Sequence, residues 1–290
     1  MPSARLVPVV FVLLWATGFI GARYAMPHAE PFGFLAVRFA ITFAIFAALS
    51  VALGAKPTTS RQRLDAIGVG ALIHGLYLSG VFFAIDHGMP AGLTALIIGL
   101  QPLLTALIAW PVLSEPIGMR HWLGLAIGFA GLVLVLAPKM GALGAGVTPV
   151  NIAACLGGAL AISAGTVWQK RALGGADLVS GTMWQYLGGA LPPALLALAF
   201  ESGQFEPVPQ LWFALVWLVL VLSVGAIFLL MLMIRDGAIG RVSALFYLVP
   251  AVTALMAWGL FGERLDTIQL AGMALTMLGV WLAMRSSRPA

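Results

Sequence analysis

His74 and Tyr77 lie three residues apart in an otherwise apolar stretch, a spacing that puts both on one face of a helix. Near the middle of a bilayer a polar side chain is costly and faces a cavity or a partner. His74 is therefore read in two ways, as a hydrogen-bonding or titratable group for a solute, or as a histidine satisfied by a neighbouring helix. Gln101 beside a proline, Ser163, Trp15, Trp168 and Tyr247 are further candidates to line a substrate pathway, supplying aromatic walls and a few hydrogen-bonding groups suited to an amphiphilic or aromatic solute. Tyrosine and tryptophan also form belts at membrane interfaces, the favoured role for Trp168. Arg38 offers a site for a carboxylate near the outer mouth, but so long a side chain near an interface is expected to snorkel to water.

Other chemistries lack their residues. There is no Gly-x-x-x-x-Gly-Lys-Ser/Thr loop for nucleotide phosphates and no His-Glu-x-x-His pair. Asp65, Asp86, Glu115, Asp177, Asp236, Glu263 and Asp266 all fall near the ends of apolar segments, so coupling to protons or sodium through a buried acid is not expected. Cys155 is the single cysteine, which excludes an intramolecular disulfide. Neither an enzyme, a metal site nor a cofactor is expected. A net charge of +5 would suit nucleic acid only if the basic residues gathered on one patch, and they are scattered singly between apolar runs.

The elements that must position these residues are membrane spans. The chain has 290 residues, of which 61% are hydrophobic and 9% charged, against roughly 25% charged in a soluble domain. Ten hydrophobic segments are predicted, at about 6–23, 33–54, 65–84, 91–113, 121–137, 150–170, 180–200, 210–233, 241–261 and 267–284, several near the roughly 20 residues that cross a bilayer. The run after Arg5 lacks a clear cleavage site and is read as an uncleaved first helix. With the N-terminus inside, Arg5, Lys56, Arg61, Arg63, Arg120, Lys170, Arg171, Arg235, Arg241, Arg285 and Arg288 fall on the cytoplasmic side and only Arg23, Lys139 and Arg264 outside. This asymmetry predicts that both termini are cytoplasmic.

The stretch Leu100, Pro102, Thr105-Ala106-Leu107, Ala109-Trp110, Glu115, Gly124, Gly131 returns without a gap as Leu248, Pro250, Thr253-Ala254-Leu255, Ala257-Trp258, Glu263, Gly272, Gly279. The offset is 148 residues, and it also carries Arg23 onto Arg171. Residues 1–140 and 141–290 are thus expected to be two five-helix repeats, inverted relative to one another because five is odd, and such repeats can rock about a central site. Pro102 and Pro250 are either hinges that kink their helices or prolines tolerated in a membrane. Glu115 with Arg171 inside, and Glu263 with Arg23 outside, are candidate gate ion pairs. The favoured alternative is that each glutamate caps the helix that follows it. The glycine stripes at Gly124, Gly128 and Gly272 are packing features, within one chain or between two.

With Trp15, Gly18 and Phe19, the Pro31 to Arg38 opening of the second segment and the duplicated Pro-x-x-Thr-Ala-Leu-x-Ala-Trp stretch ending in Glu115 and Glu263, the chain resembles the EamA type of the drug/metabolite transporter superfamily over nearly its whole length. The resemblance implies an all-α integral membrane protein of ten helices, with helices 1–4 and 6–9 around a central cavity and 5 and 10 at the periphery. It implies a multi-pass exporter of small metabolites in the bacterial inner membrane, working by alternating access without a cofactor. Neutral or aromatic amino acids are the leading substrates by likeness to the YddG-like amino-acid exporters. Nucleobases, cationic compounds and a passive facilitator are the alternatives, and the partners are the small-molecule substrate and the lipid bilayer.

Overall fold

The computed structural model describes residues 3–114, 118–136, 146–226, 229, 248–264 and 266–285. These residues form helices α1 Ser3–Ala25, α2 Pro31–Ala52, α3 Ser60–Asp86, α4 Ala91–Leu113, α5 Met119–Leu136, α6 Pro149–Ala172, α7 Leu178–Phe200, α8 Pro209–Ala226, α9 Val249–Phe261 and α10 Thr267–Arg285. Apart from one isolated bridge between Ala29 and Phe205, no strand occurs among the described residues. Helices α2, α3, α4, α6 and α8 are each long and apolar enough to cross a membrane, and the apolar stretches Val9–Ala25, Met119–Val135, Val249–Phe261 and Thr267–Leu282 are shorter.

Local chemistry sets where the helices begin. Pro31, Pro149 and Pro209 open α2, α6 and α8, where a missing N–H costs no helical bond. Thr59 and Gln62 form a reciprocal capping box at α3, and the Asp177 carboxylate accepts from the Val179 and Ser180 N–H groups at α7.

Three helices depart from the regular form in their interiors. Within α3 the turns widen into a π-helix at Ala71–Leu76, and within α8 at Trp217–Ala226. Helix α4 is interrupted at Gly99 and Leu100, where the Leu100 N–H reaches back three residues to the Ile97 carbonyl at 3.1 Å. Pro102 lies just after this break, in the first turn of the second half, and Pro250 lies in the first turn of α9. The interruption of α4 thus falls in the turn just before Pro102, the turn that a proline ring crowds, and the residues that would form the turn before Pro250 lie outside the described residues.

Helix α2 packs along α7, α3 against α6 and α7, α4 against α6 and α9, and α1 against α8 and α9. Helices α5 and α10 pair closely with each other. The stripes assign that contact to a single chain: a Cβ on Gly131 would lie 2.6 Å from the Gly272 carbonyl oxygen, and one on Gly279 would lie 2.6 Å from that of Gly124. Phe34, Phe39, Phe46 and Phe82 are fully buried, while Val51, Leu195, Leu198 and Phe200 point outward, as expected of a surface solvated by lipid.

Candidate functional site

A cavity of about 100 Å³ lies where α1, α2, α3, α6, α7 and α8 converge. Its apolar wall includes Trp15, Phe19, Ile73, Leu78, Ile162 and Leu222, and its polar groups are Arg38, His74, Tyr77, Tyr186 and Ser223. His74 sits in the π segment of α3, and Leu222 and Ser223 in that of α8. The wider turn displaces side chains from the ordinary helical register, a feature that recurs at functional sites.

The tightest contact in this wall is a stack of His74 on Tyr186, with ring centroids 4.5 Å apart and planes 12° from parallel. Phe46 stacks on Tyr186 at 5.6 Å, and Phe39 lies about equally far from His74 and Tyr186, at 6.1 and 6.0 Å. The Tyr186 hydroxyl donates to the Ser223 carbonyl at 3.3 Å. Arg38 is only 3% exposed, so its expected snorkelling is overturned. Its Nη2 donates to Ser223 Oγ at 3.2 Å and its guanidinium lies over the Phe39 ring, 5.5 Å from the centroid. Helix α2 packs along α7 and also against α8, and this leaves the side chain no course to an interface.

A smaller adjoining cavity of about 30 Å³ is shared by Trp15, Tyr77 and Gln101, and Pro102 and Pro250 both border it. Trp15, His74, Tyr77 and Gln101 are therefore brought to this central region. Ser163 is fully buried beside it and does not face either cavity: its hydroxyl bonds to the carbonyls of Ala159 and Gln101, tying α6 to α4 at the break. Trp168 lies elsewhere. Its indole N–H donates to Asp65 at 3.0 Å, in a separate crevice of about 590 Å³ that also contains Arg61 and Arg171. Tyr247 lies outside the described residues.

Of the candidate gates, Arg23 Nε stands 3.8 Å from Glu263 Oε1, and Glu115, the expected partner of Arg171, lies outside the described residues. Glu263 also accepts from the Ala91 N–H at 3.3 Å, at the start of α4. The cap of α10 is instead Asp266, which exchanges hydrogen bonds with Gln269, so the expectation that Glu263 caps its following helix is corrected. Asp266 stands one residue before α10, within reach of the Gln269 N–H, and Glu263 does not.

Tyr186 and Ser223 were not among the residues expected from sequence. The repeat offset carries a usable signal, because adding 148 takes Arg38 to Tyr186 and Gly75 to Ser223.

A sequence profile described as the EamA-like transporter family matches this chain twice, over residues 4–137 and 150–285. The chain belongs to that family. This EamA-like transporter is 24% identical to the Salmonella typhimurium protein named "Probable amino-acid metabolite efflux pump", over 94% of this chain and 92% of that one. It is 23% identical to the Bacillus subtilis "Uncharacterized transporter YvbV", over 99% and 94% of the two chains. It is also 24% identical to the Escherichia coli "Uncharacterized inner membrane transporter YedA", over 93% and 87%. A solved crystal structure, 24% identical, aligns with a TM-score of 0.64 over 98% of this chain and 96% of the other, a likeness of fold. The family and these relatives are transporters, not enzymes, and this one is a multi-pass membrane protein with a small-molecule substrate.

Proposed function

We propose that this chain is a secondary transporter that exports small metabolites, neutral or aromatic amino acids foremost, across the bacterial inner membrane by alternating access. In this reading the ten helices all span the bilayer as two inverted five-helix repeats, residues 1–140 and 141–290, with both termini cytoplasmic. The observation that carries it is the buried aromatic and polar cavity built jointly by α1–α3 and α6–α8. Its π-helical walls fall on equivalent positions, since the 148-residue offset takes 71–76 to 219–224, inside the second π segment. Two related halves that share a central site can exchange conformations and so present it to either side.

The cavity's volume of about 100 Å³ is well below the roughly 300–1,000 Å³ of ordinary ligand sites. A solute therefore enters by separation of the walls, as a carrier requires and a standing pore does not. The "amino-acid metabolite efflux" in the name of the Salmonella relative and the inner-membrane name of the Escherichia relative support the substrate and the location. Within the site, Trp15, Tyr77, His74 and Gln101 are assigned to the substrate pathway, Pro102 and Pro250 to the moving joint, and Arg23 with Glu263 to the outer gate.

The test is counterflow. Purified protein in liposomes preloaded with unlabelled neutral and aromatic amino acids is expected to take up the matching labelled solute saturably, and His74→Ala to lose most of that uptake while remaining folded. Absence of counterflow for every amino acid sinks the amino-acid reading. Linear, non-saturating uptake without exchange turns the protein into a channel.

A further inference from the structure

Among the described residues the Arg38 guanidinium is a cation without a counter-ion. Its Nη2 bonds to Ser223 Oγ, whereas Nε and Nη1 are buried with no hydrogen-bond partner. No aspartate or glutamate borders the cavity among the described residues; the other polar groups there are His74, Tyr77, Tyr186 and Ser223. A buried, unpaired charge is expensive to hold, and a buried donor left unbonded adds to that expense. The planar guanidinium presents its N–H groups in a fixed fork that matches a carboxylate.

Resting on the transporter reading above, we infer that the central cavity is an anion site in which Arg38 takes the carboxylate of a small organic acid. The apolar body of that acid lies against Trp15, Phe19, Ile73 and Leu222. A carboxylate gives the two free nitrogens their missing acceptors and neutralises the charge at the same time. Among the described residues the site holds no acidic partner for an ammonium group, so the carboxylate, not an amine, is the group it recognises. Cationic compounds are disfavoured by the like charge of Arg38. Amino acids are accepted through their carboxylate, and the same site takes acids that have no amine.

The test uses the full chain in phosphatidylcholine nanodiscs and calorimetric titration with probes built on similar frames: 3-phenylpropionate and 4-methylpentanoate as acids, 3-phenylpropionamide as the neutral analogue, 2-phenylethylamine as the cation. The acids are expected to bind at least tenfold tighter than the amide or the amine. Arg38→Gln is expected to abolish that preference while leaving the amide's affinity within about twofold. Arg38→Lys, which keeps the charge without the fork, is expected to retain part of it.

Thermal unfolding without ligand separates this role from a structural one. Removing an unsatisfied buried charge leaves the midpoint of Arg38→Gln equal to or above that of the wild type, whereas an arginine that braces α2 on α8 through Ser223 gives a lowered midpoint in both Arg38→Gln and Ser223→Ala. The inference is overturned if the wild type binds neither acid, if the amide or amine binds as tightly, or if Arg38→Gln keeps the preference. If the acids bind through Arg38 and amino-acid counterflow is absent, the amino-acid reading falls alone. If counterflow is present and indifferent to Arg38, the carboxylate site falls alone.

Discussion

Tyr186 holds the central wall through two kinds of interaction that substitution separates. Its ring stacks on His74 and Phe46 with almost no exposure, and its hydroxyl donates to the Ser223 carbonyl. Tyr186→Phe keeps the rings and removes one neutral hydrogen bond, for an expected loss of about 1 kcal/mol. Tyr186→Ala opens a void beside His74, for a loss of roughly 3–5 kcal/mol. Reversible unfolding in mixed detergent micelles is expected to rank the variants in that order, and equal effects would mean that the stack carries little. At this scale legibility was uneven. His74 and Tyr77 could be placed by their spacing alone, because three residues in a helix define a face. The burial of Arg38 could not, because it depends on α7 and on α8, whose Ser223 is 185 residues away in the chain.

The helices themselves were mostly legible, since a run of apolar residues between charges specifies a span whatever it packs against. Every predicted segment overlaps a helix, although the ninth is described only from Leu248 onward. The π segments were not legible, though that of α3 carries Gly75, which lies so near Pro192 of α7 that a Cβ would come within 2.7 Å of its ring; the Gly99–Leu100 break falls just before Pro102, a residue that disfavours the turn preceding it. The glycine stripe joining α5 and α10 was legible as small residues four or more apart, but its partner was settled only by the fold. A Cβ on Gly131 would also stand 2.5 Å from the Thr276 backbone nitrogen, and backbone yields less readily than a side chain. Gly131→Leu is thus expected to separate the two helices and lower stability by about 1–3 kcal/mol or more. Gly157, whose Cβ would meet nothing, provides the control: Gly157→Ala is expected to leave unfolding unchanged or slightly improved, measured in the same micelles.

Across the whole molecule, the loops at one end join the two halves by exchanging carboxylates. Glu30, just before α2, accepts from the backbone N–H groups of Ser202, Gly203 and Gln204 after α7, and Glu201, at the end of α7, accepts from Phe32 and Gly33 at the start of α2. Arg23, Glu263 and the start of α4 meet as well, so α1, α4 and the loop after α9 are also tied. The Ser202 N–H above all, then that of Gln204, holds the Glu30 carboxyl below its ordinary value of 4.5, whereas burial pushes that of Glu201 up against the pull of Phe32 and Gly33. The sign for Glu30 follows from linkage. A depressed folded-state value contributes stability that is present above the unfolded value and is lost as pH falls through the folded one. Glu30→Gln is therefore expected to destabilise the chain at neutral pH, to keep the same deficit down to about pH 4.5, and to converge with the wild type below it. If these ties close the outer end, as the orientation proposed above would have it, weakening them by Glu30→Gln also favours the outward-open form. A cysteine introduced at Phe19, in the cavity wall, then reacts faster with an impermeant thiol reagent added outside the cell in the Glu30→Gln background, with the buried Cys155 replaced by serine in both proteins. Equal labelling rates would leave the carboxylate exchange a structural tie with no part in gating.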